Sequence, residues 1–109
     1  MTIFVQLETL AEILKQKRES NDLLLREVAA AVNIDQSLLS KFEKGERIPT
    51  PKQVREFAKY YHISEEQLEV VYLSDKIYQE LKGNPLANQA IQLTYQKIQE
   101  FENSKIKKK

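Results

Sequence analysis

Gln36, Ser37, Ser40 and Lys41 are residues whose types and spacing can do chemistry. With 3.6 residues per turn they fall on one outward face, over the start and middle of a single predicted helix. A glutamine amide can pair bidentately with adenine, and a lysine can reach the acceptor atoms of guanine. A good bidentate pair discriminates against a wrong base by about 1–3 kcal/mol. On an arbitrary helix such a face is merely solvated. The element that presents the four residues decides between the two readings.

Other chemistries find less support. His62 is the sole histidine, and no cluster of histidine, aspartate and glutamate at ligand spacing surrounds it. It reads as a helix C-terminal residue, where a cation is favoured. The chain has no cysteine, which excludes disulfides and thiolate metal sites and is compatible with a reducing cytoplasm. No Ser/His/Asp or Cys/His set and no glycine-rich phosphate loop is visible. The carboxylates sit on solvated helix faces beside lysines. Neither an enzyme, nor a metal, nor a cofactor is expected. Tyr60, Tyr61, Tyr72, Tyr78 and Tyr95 are aromatic enough to stack on single strands. Their helical spacing reads instead as core or interface.

The elements that position Gln36 to Lys41 are legible as helices. With two glycines and three prolines in 109 residues, a turn-rich β fold is disfavoured. A first helix runs from Thr9 to Ser20 around Leu10, Ile13 and Leu14. A short second one, Leu25 to Val32, places Leu25, Val28, Ala29 and Val32 on one face. Its small alanines allow another helix to approach. Asn33 tolerates a left-handed backbone, and Asp35 is an N-cap candidate. The third helix runs from about Gln36 to Lys44, with Leu38, Leu39 and Phe42 inward, and Gly45 stops it. Two short helices joined through Asn33-Ile34-Asp35 make a helix-turn-helix.

Thr50-Pro51 opens a fourth helix that runs to about Tyr61. Ser64-Glu65-Glu66-Gln67 is a capping-box sequence for a fifth, which carries Leu68, Val71 and Tyr72. Gly83-Asn84-Pro85 is the best internal boundary. A last helix runs from there to about Glu102, with Ala87, Ile91, Tyr95 and Ile98 as its stripe. The expected domains are therefore 1–82, a helical extension at 83–104 and a disordered basic tail at 105–109. The chain carries 17 basic and 16 acidic residues, a net charge of +1. Composition therefore does not advertise a nucleic-acid binder, and the placement of charge must do so. No apolar run approaches a membrane span, and Met1-Thr2-Ile3-Phe4-Val5 lacks the basic flank of a signal peptide.

From Leu10 to Leu68 the chain resembles the Xre-type helix-turn-helix family of Cro and phage repressors. The segment from Val28 to Pro49 carries the likeness. It has a small residue at Ala29, a turn residue at Asn33 and the run Ser40-Lys41-Phe42-Glu43-Lys44-Gly45. The resemblance implies an all-α, five-helix domain, here with an added C-terminal helix, that reads double-stranded DNA as a homodimer. Within this motif the helix beginning at Gln36 enters the major groove, so Gln36, Ser37, Ser40 and Lys41 become base contacts. Arg26, Lys44, Arg47 and Lys52 become phosphate contacts, and Glu43 and Glu46 beside them temper the local positive potential. Arg18 and Glu43 match a salt-bridge pair frequent in the family, a brace for the third helix. Leu25 departs from the pattern. Family members usually place a phosphate-binding glutamine there, and Arg26 is the substitute.

The expected function is that of a transcriptional repressor or regulator in the cytoplasm, bound to the nucleoid. It would act on an inverted-repeat operator, because one helix-turn-helix alone makes too little DNA contact for strong specificity. Leu68, Tyr72, Ile77, Ile91, Tyr95 and Ile98 are the expected dimer surface, with the last helix crossing to the partner. In size and in its C-terminal extension the chain is also similar to controllers found beside restriction–modification genes. The other reading is an antitoxin-like or adaptor module for protein partners, which would place an apolar patch on the third helix.

Overall fold

A computed structural model of the protein describes residues 7–107, with side chains through Lys105. Those residues form six helices: α1 (Leu10–Ser20), α2 (Leu25–Ala31), α3 (Gln36–Lys44), α4 (Pro51–Tyr61), α5 (Glu65–Leu81) and α6 (Ala87–Lys107). No strand occurs among them. The architecture is an all-α helix-turn-helix domain with an added C-terminal helix.

Each helix starts where its local chemistry directs. The Thr9 hydroxyl accepts from the Glu12 N–H at 3.2 Å, while the Thr9 N–H donates to Glu12 Oε1 at 2.9 Å. Two opening amides of α1 are thereby committed. Thr50 and Gln53 make the same reciprocal pair at 3.2 and 2.9 Å, with Pro51 pre-set at the first helical position. Before α5 the Gln67 N–H donates to Ser64 Oγ at 3.2 Å. α3 ends on Gly45 at φ +76°, a left-handed position that glycine adopts without strain. α4 ends on His62, also left-handed, at φ 59°.

The chain parts into two units, one up to Lys76 and one from Ile77. In the first unit α1 to α5 close around one core. Leu14, Val28, Leu39, Val54, Phe57 and Leu68 are its largest fully enclosed side chains. Phe42 meets Phe57 edge-on at 6.2 Å between ring centroids, and Phe57 stacks on Tyr61 at 6.5 Å. Both geometries suit the aromatic quadrupole. The inward face of α5 carries Leu68, Val71 and Tyr72 and ends at half-buried Asp75. From Ile77 to Glu80 every residue is exposed, which places the division inside α5 rather than at Gly83.

The second unit holds the end of α5, a turn and α6. Gly83 turns at φ +79°, and Asn84 Oδ1 accepts from the Leu86 N–H at 2.8 Å. Pro85 and Leu86 lie in this turn, so α6 begins two residues later than the proline suggests. It also runs further, through Lys107, where a disordered tail from Lys105 was expected. Lysine is a good helix former, and cations at a helix C-terminus oppose the dipole's negative end, so nothing stops the helix at Glu102. Lys108 and Lys109 lie outside the described residues.

Candidate nucleic-acid interface

α2, its turn and α3 form the helix-turn-helix. The Ile34 N–H donates to the Ala29 carbonyl at 2.9 Å, and Asn33 adopts φ 60°. Asparagine is among the few non-glycine residues that accept this conformation readily. Ala29 and Val28 are buried, and the small side chain at Ala29 lets α3 pack closely. Leu39 and Phe42 fix the inner side of α3 in the core.

The outer side of α3 faces solvent. Gln36, Ser37 and Lys41 are exposed and Ser40 is half-buried, all over the first two turns of the helix. Asp35 stands at the N-cap in extended conformation but accepts no bond from the first turn. The opening amides of α3 are therefore left to solvent or a ligand. Together with the helix dipole they favour negative charge at that end.

A buried ion pair fixes α3 against α1. Arg18 Nε lies 2.9 Å from Glu43 Oε2, and Arg18 Nη2 lies 3.1 Å from Glu43 Oε1. The same guanidinium donates to the Leu23 carbonyl at 3.0 Å, tying in the loop before α2. Hydrogen bonding to Glu43 holds the Arg18 guanidinium above its already high ordinary pKa, against the opposing effect of burial. It stays charged at every working pH. Tyr61 lies in the field of this pair. Burial, followed by the Glu43 carboxylate, pushes its phenol well above the ordinary range.

The phosphate candidates are all exposed: Arg26 on α2, Lys44 at the end of α3, Arg47 in the following loop and Lys52 on α4. At the start of α4, Pro51 has no N–H and the Gln53 N–H is committed to Thr50. Of these first-turn amides only that of Lys52 can serve a phosphate, and its side chain leaves from the same residue. Leu25 is half-buried against the core, whereas its neighbour Arg26 is exposed.

The expected dimer residues divide. Leu68 and Tyr72 are only 0% and 5% exposed. They pack inside the first unit's core and cannot meet a partner, because α5 turns that face toward α1 to α4. Ile77, Ile91, Tyr95 and Ile98 are 46%, 42%, 62% and 52% exposed. Of the tyrosines, Tyr61 and Tyr72 are core, Tyr60 is half-buried, and Tyr78 and Tyr95 are exposed. One hydrogen bond went unforeseen: the Leu10 N–H donates to Asp75 Oδ2 at 2.8 Å, joining α1 to α5. A lone aspartate one turn beyond Leu68, Val71 and Tyr72, on their inward face, is the only sequence signal for it.

Among the described residues no group of histidine, aspartate and glutamate could hold a metal, and no helix is long and apolar enough to cross a membrane. Neither a curated protein nor a solved structure matches the chain. A helix-turn-helix family model matches residues 14–68, just over half of the sequence. The matched span runs from the Leu14 core position to Leu68 on α5 and contains the whole α2–turn–α3 arrangement with its Arg18–Glu43 brace. The chain belongs to the Xre/Cro-type helix-turn-helix family of DNA-binding regulators.

Proposed function

We propose that the protein is a sequence-specific transcriptional regulator that binds an inverted-repeat operator as a homodimer, with α3 in the major groove. Gln36, Ser37, Ser40 and Lys41 read base edges, while Arg26, Lys44, Arg47 and Lys52 hold phosphates. The observation that carries this reading is the outer face of α3. It is polar and hydrogen-bonding over the helix's first two turns, and it belongs to a helix anchored by a buried ion pair. A groove reader needs side chains of this kind at this end of the helix. An adaptor would need an apolar patch there.

Two copies place two such helices about 34–36 Å apart, one turn of DNA. With a near-zero net charge and Glu46 among the basic groups, nonspecific affinity stays moderate and falls with salt. Selection from randomised duplex DNA at near-physiological salt tests the reading. Enrichment of an inverted repeat that a Gln36→Ala/Lys41→Ala variant no longer selects is the expected result. Weak binding that enriches nothing and vanishes as salt rises would overturn it in favour of a protein-interaction module.

A further inference from the structure

α6 carries an apolar face wider than a single neighbouring helix covers. At 3.6 residues per turn, Leu93, Ala90, Ile98, Ile91 and Tyr95 spread over an arc of roughly 200°. A helix that faces one core needs a stripe of about 100°. Ala87 and Ala90 are half-buried within the second unit, whereas Ile91, Ile98 and Phe101 are 42%, 52% and 61% exposed.

The exposed part has a seam's spacing. Ile91, Thr94, Ile98 and Phe101 recur at alternating intervals of three and four, the a and d positions of a coiled coil. β-branched isoleucine fills both a positions, as it does in parallel two-stranded coils, while Thr94 and Phe101 stand at d. In this register Lys97 occupies a g position and Glu102 the e position of the next heptad. When two such helices lie parallel and in register, each g residue faces the e residue five positions further on in its partner. Lys97 then meets Glu102 of the partner subunit, and symmetry makes the pair twice. An antiparallel pair centred on α6 would set Lys97 against its own copy. The outer arc carries the uncharged Gln89, Gln92, Gln96 and Gln99, which add no repulsion between copies.

We propose that α6 pairs parallel and in register with α6 of a second copy of this chain, along the seam Ile91, Thr94, Ile98 and Phe101. The proposal rests on the homodimeric reading above and assigns the dimer its helix, orientation and register.

The chain has no native cysteine, so Thr94→Cys introduces a sole thiol at an exposed position. In a parallel seam its Cα and that of its symmetry mate fall within disulfide range, about 5.5–6 Å. Mild oxidation is expected to give a covalent dimer, and Gln96→Cys on the outer arc is expected to give none. Lys97→Glu and Glu102→Lys should each weaken the dimer by about five-fold in sedimentation, and the double variant should restore it. A dimer in which Thr94→Cys does not cross-link, or whose double variant stays as weak as the singles, sinks the seam and leaves the homodimer standing. A chain that stays monomeric at every concentration tested sinks both.

Discussion

Arg18 and Glu43 meet in a two-pronged contact between α1 and α3, with N···O distances of 2.9 and 3.1 Å and side chains only 15% and 5% exposed. The value of such a pair lies in its integrity. Taking two charges out of water roughly cancels their attraction, but removing one strands the other. Arg18→Ala should therefore lower the unfolding free energy by about 3–5 kcal/mol, read from urea denaturation. Replacing both with apolar residues of similar volume, Arg18→Met/Glu43→Leu, should cost far less than either single change. A double variant as unstable as the sum of the singles would show that the two residues act independently.

Tyr61 packs against Phe57, and its hydroxyl is buried with no hydrogen-bond partner among the described residues. A buried hydroxyl without a partner forgoes its hydration, a cost of about 1–3 kcal/mol. Tyr61→Phe keeps the ring and removes the oxygen. The variant should be more stable by about 1 kcal/mol, which for a domain of this size raises Tm by about 4–8 °C. A loss of stability in thermal unfolding would mean that the hydroxyl is bonded in solution.

The parts of this molecule legible in the sequence were those set by local rules. α3 and α4 begin and end where Gln36, Gly45, Thr50-Pro51 and Tyr61 direct, because caps, proline and left-handed residues act within one turn of the chain. The core positions Leu14, Val28, Leu39 and Phe57 followed from 3.6-residue periodicity. What periodicity alone does not supply is the partner of each face. α5 is apolar on two sides: Leu68 and Tyr72 face the core, while Val70, Leu73 and Ile77 face solvent. A periodic pattern cannot say which of two such stripes stays within the chain. The Asp75–Leu10 bond links residues 65 apart, and a polar residue on the inward face of α5 does not by itself name its partner. The Arg18–Glu43 pairing was accessible only through likeness to a family.

Asp75 gives the molecule a pH signature. Burial raises its carboxyl above the ordinary carboxylate range, the bond from the Leu10 N–H partly opposes this, and the nearby Glu12 adds to the rise. With its pKa higher in the folded than in the unfolded state, Asp75 binds its proton more readily when folded. Its contribution to stability is therefore fully present below the unfolded pKa, near 3.9, and is lost as pH rises through the folded value. Asp75→Asn keeps an acceptor for Leu10 and removes the titration. In denaturant unfolding from pH 4 to 7, the wild type should gain on the variant toward acid and lose ground toward neutrality. Parallel curves across that range would show that Asp75 titrates as it does in the unfolded chain.

Base-reading and phosphate-holding side chains make separable predictions for the operator complex. Gln36 stands at the first position of α3, where the proposed reading puts a base contact. Gln36→Ala should weaken binding to the selected operator by about 1–3 kcal/mol and relax preference at one base pair in each half-site, leaving the salt dependence unchanged. Lys52, at the second position of α4, should behave in the opposite way. Lys52→Ala should weaken specific and nonspecific DNA alike and reduce the slope of log K against log salt by about 1 for each phosphate that is no longer neutralised. Titrations of both variants at several salt concentrations, on operator and on scrambled duplex, separate the two roles. Should Gln36→Ala flatten the salt slope while leaving preference intact, α3 would be resting on the backbone, and the base-reading role assigned to its first turn would fall.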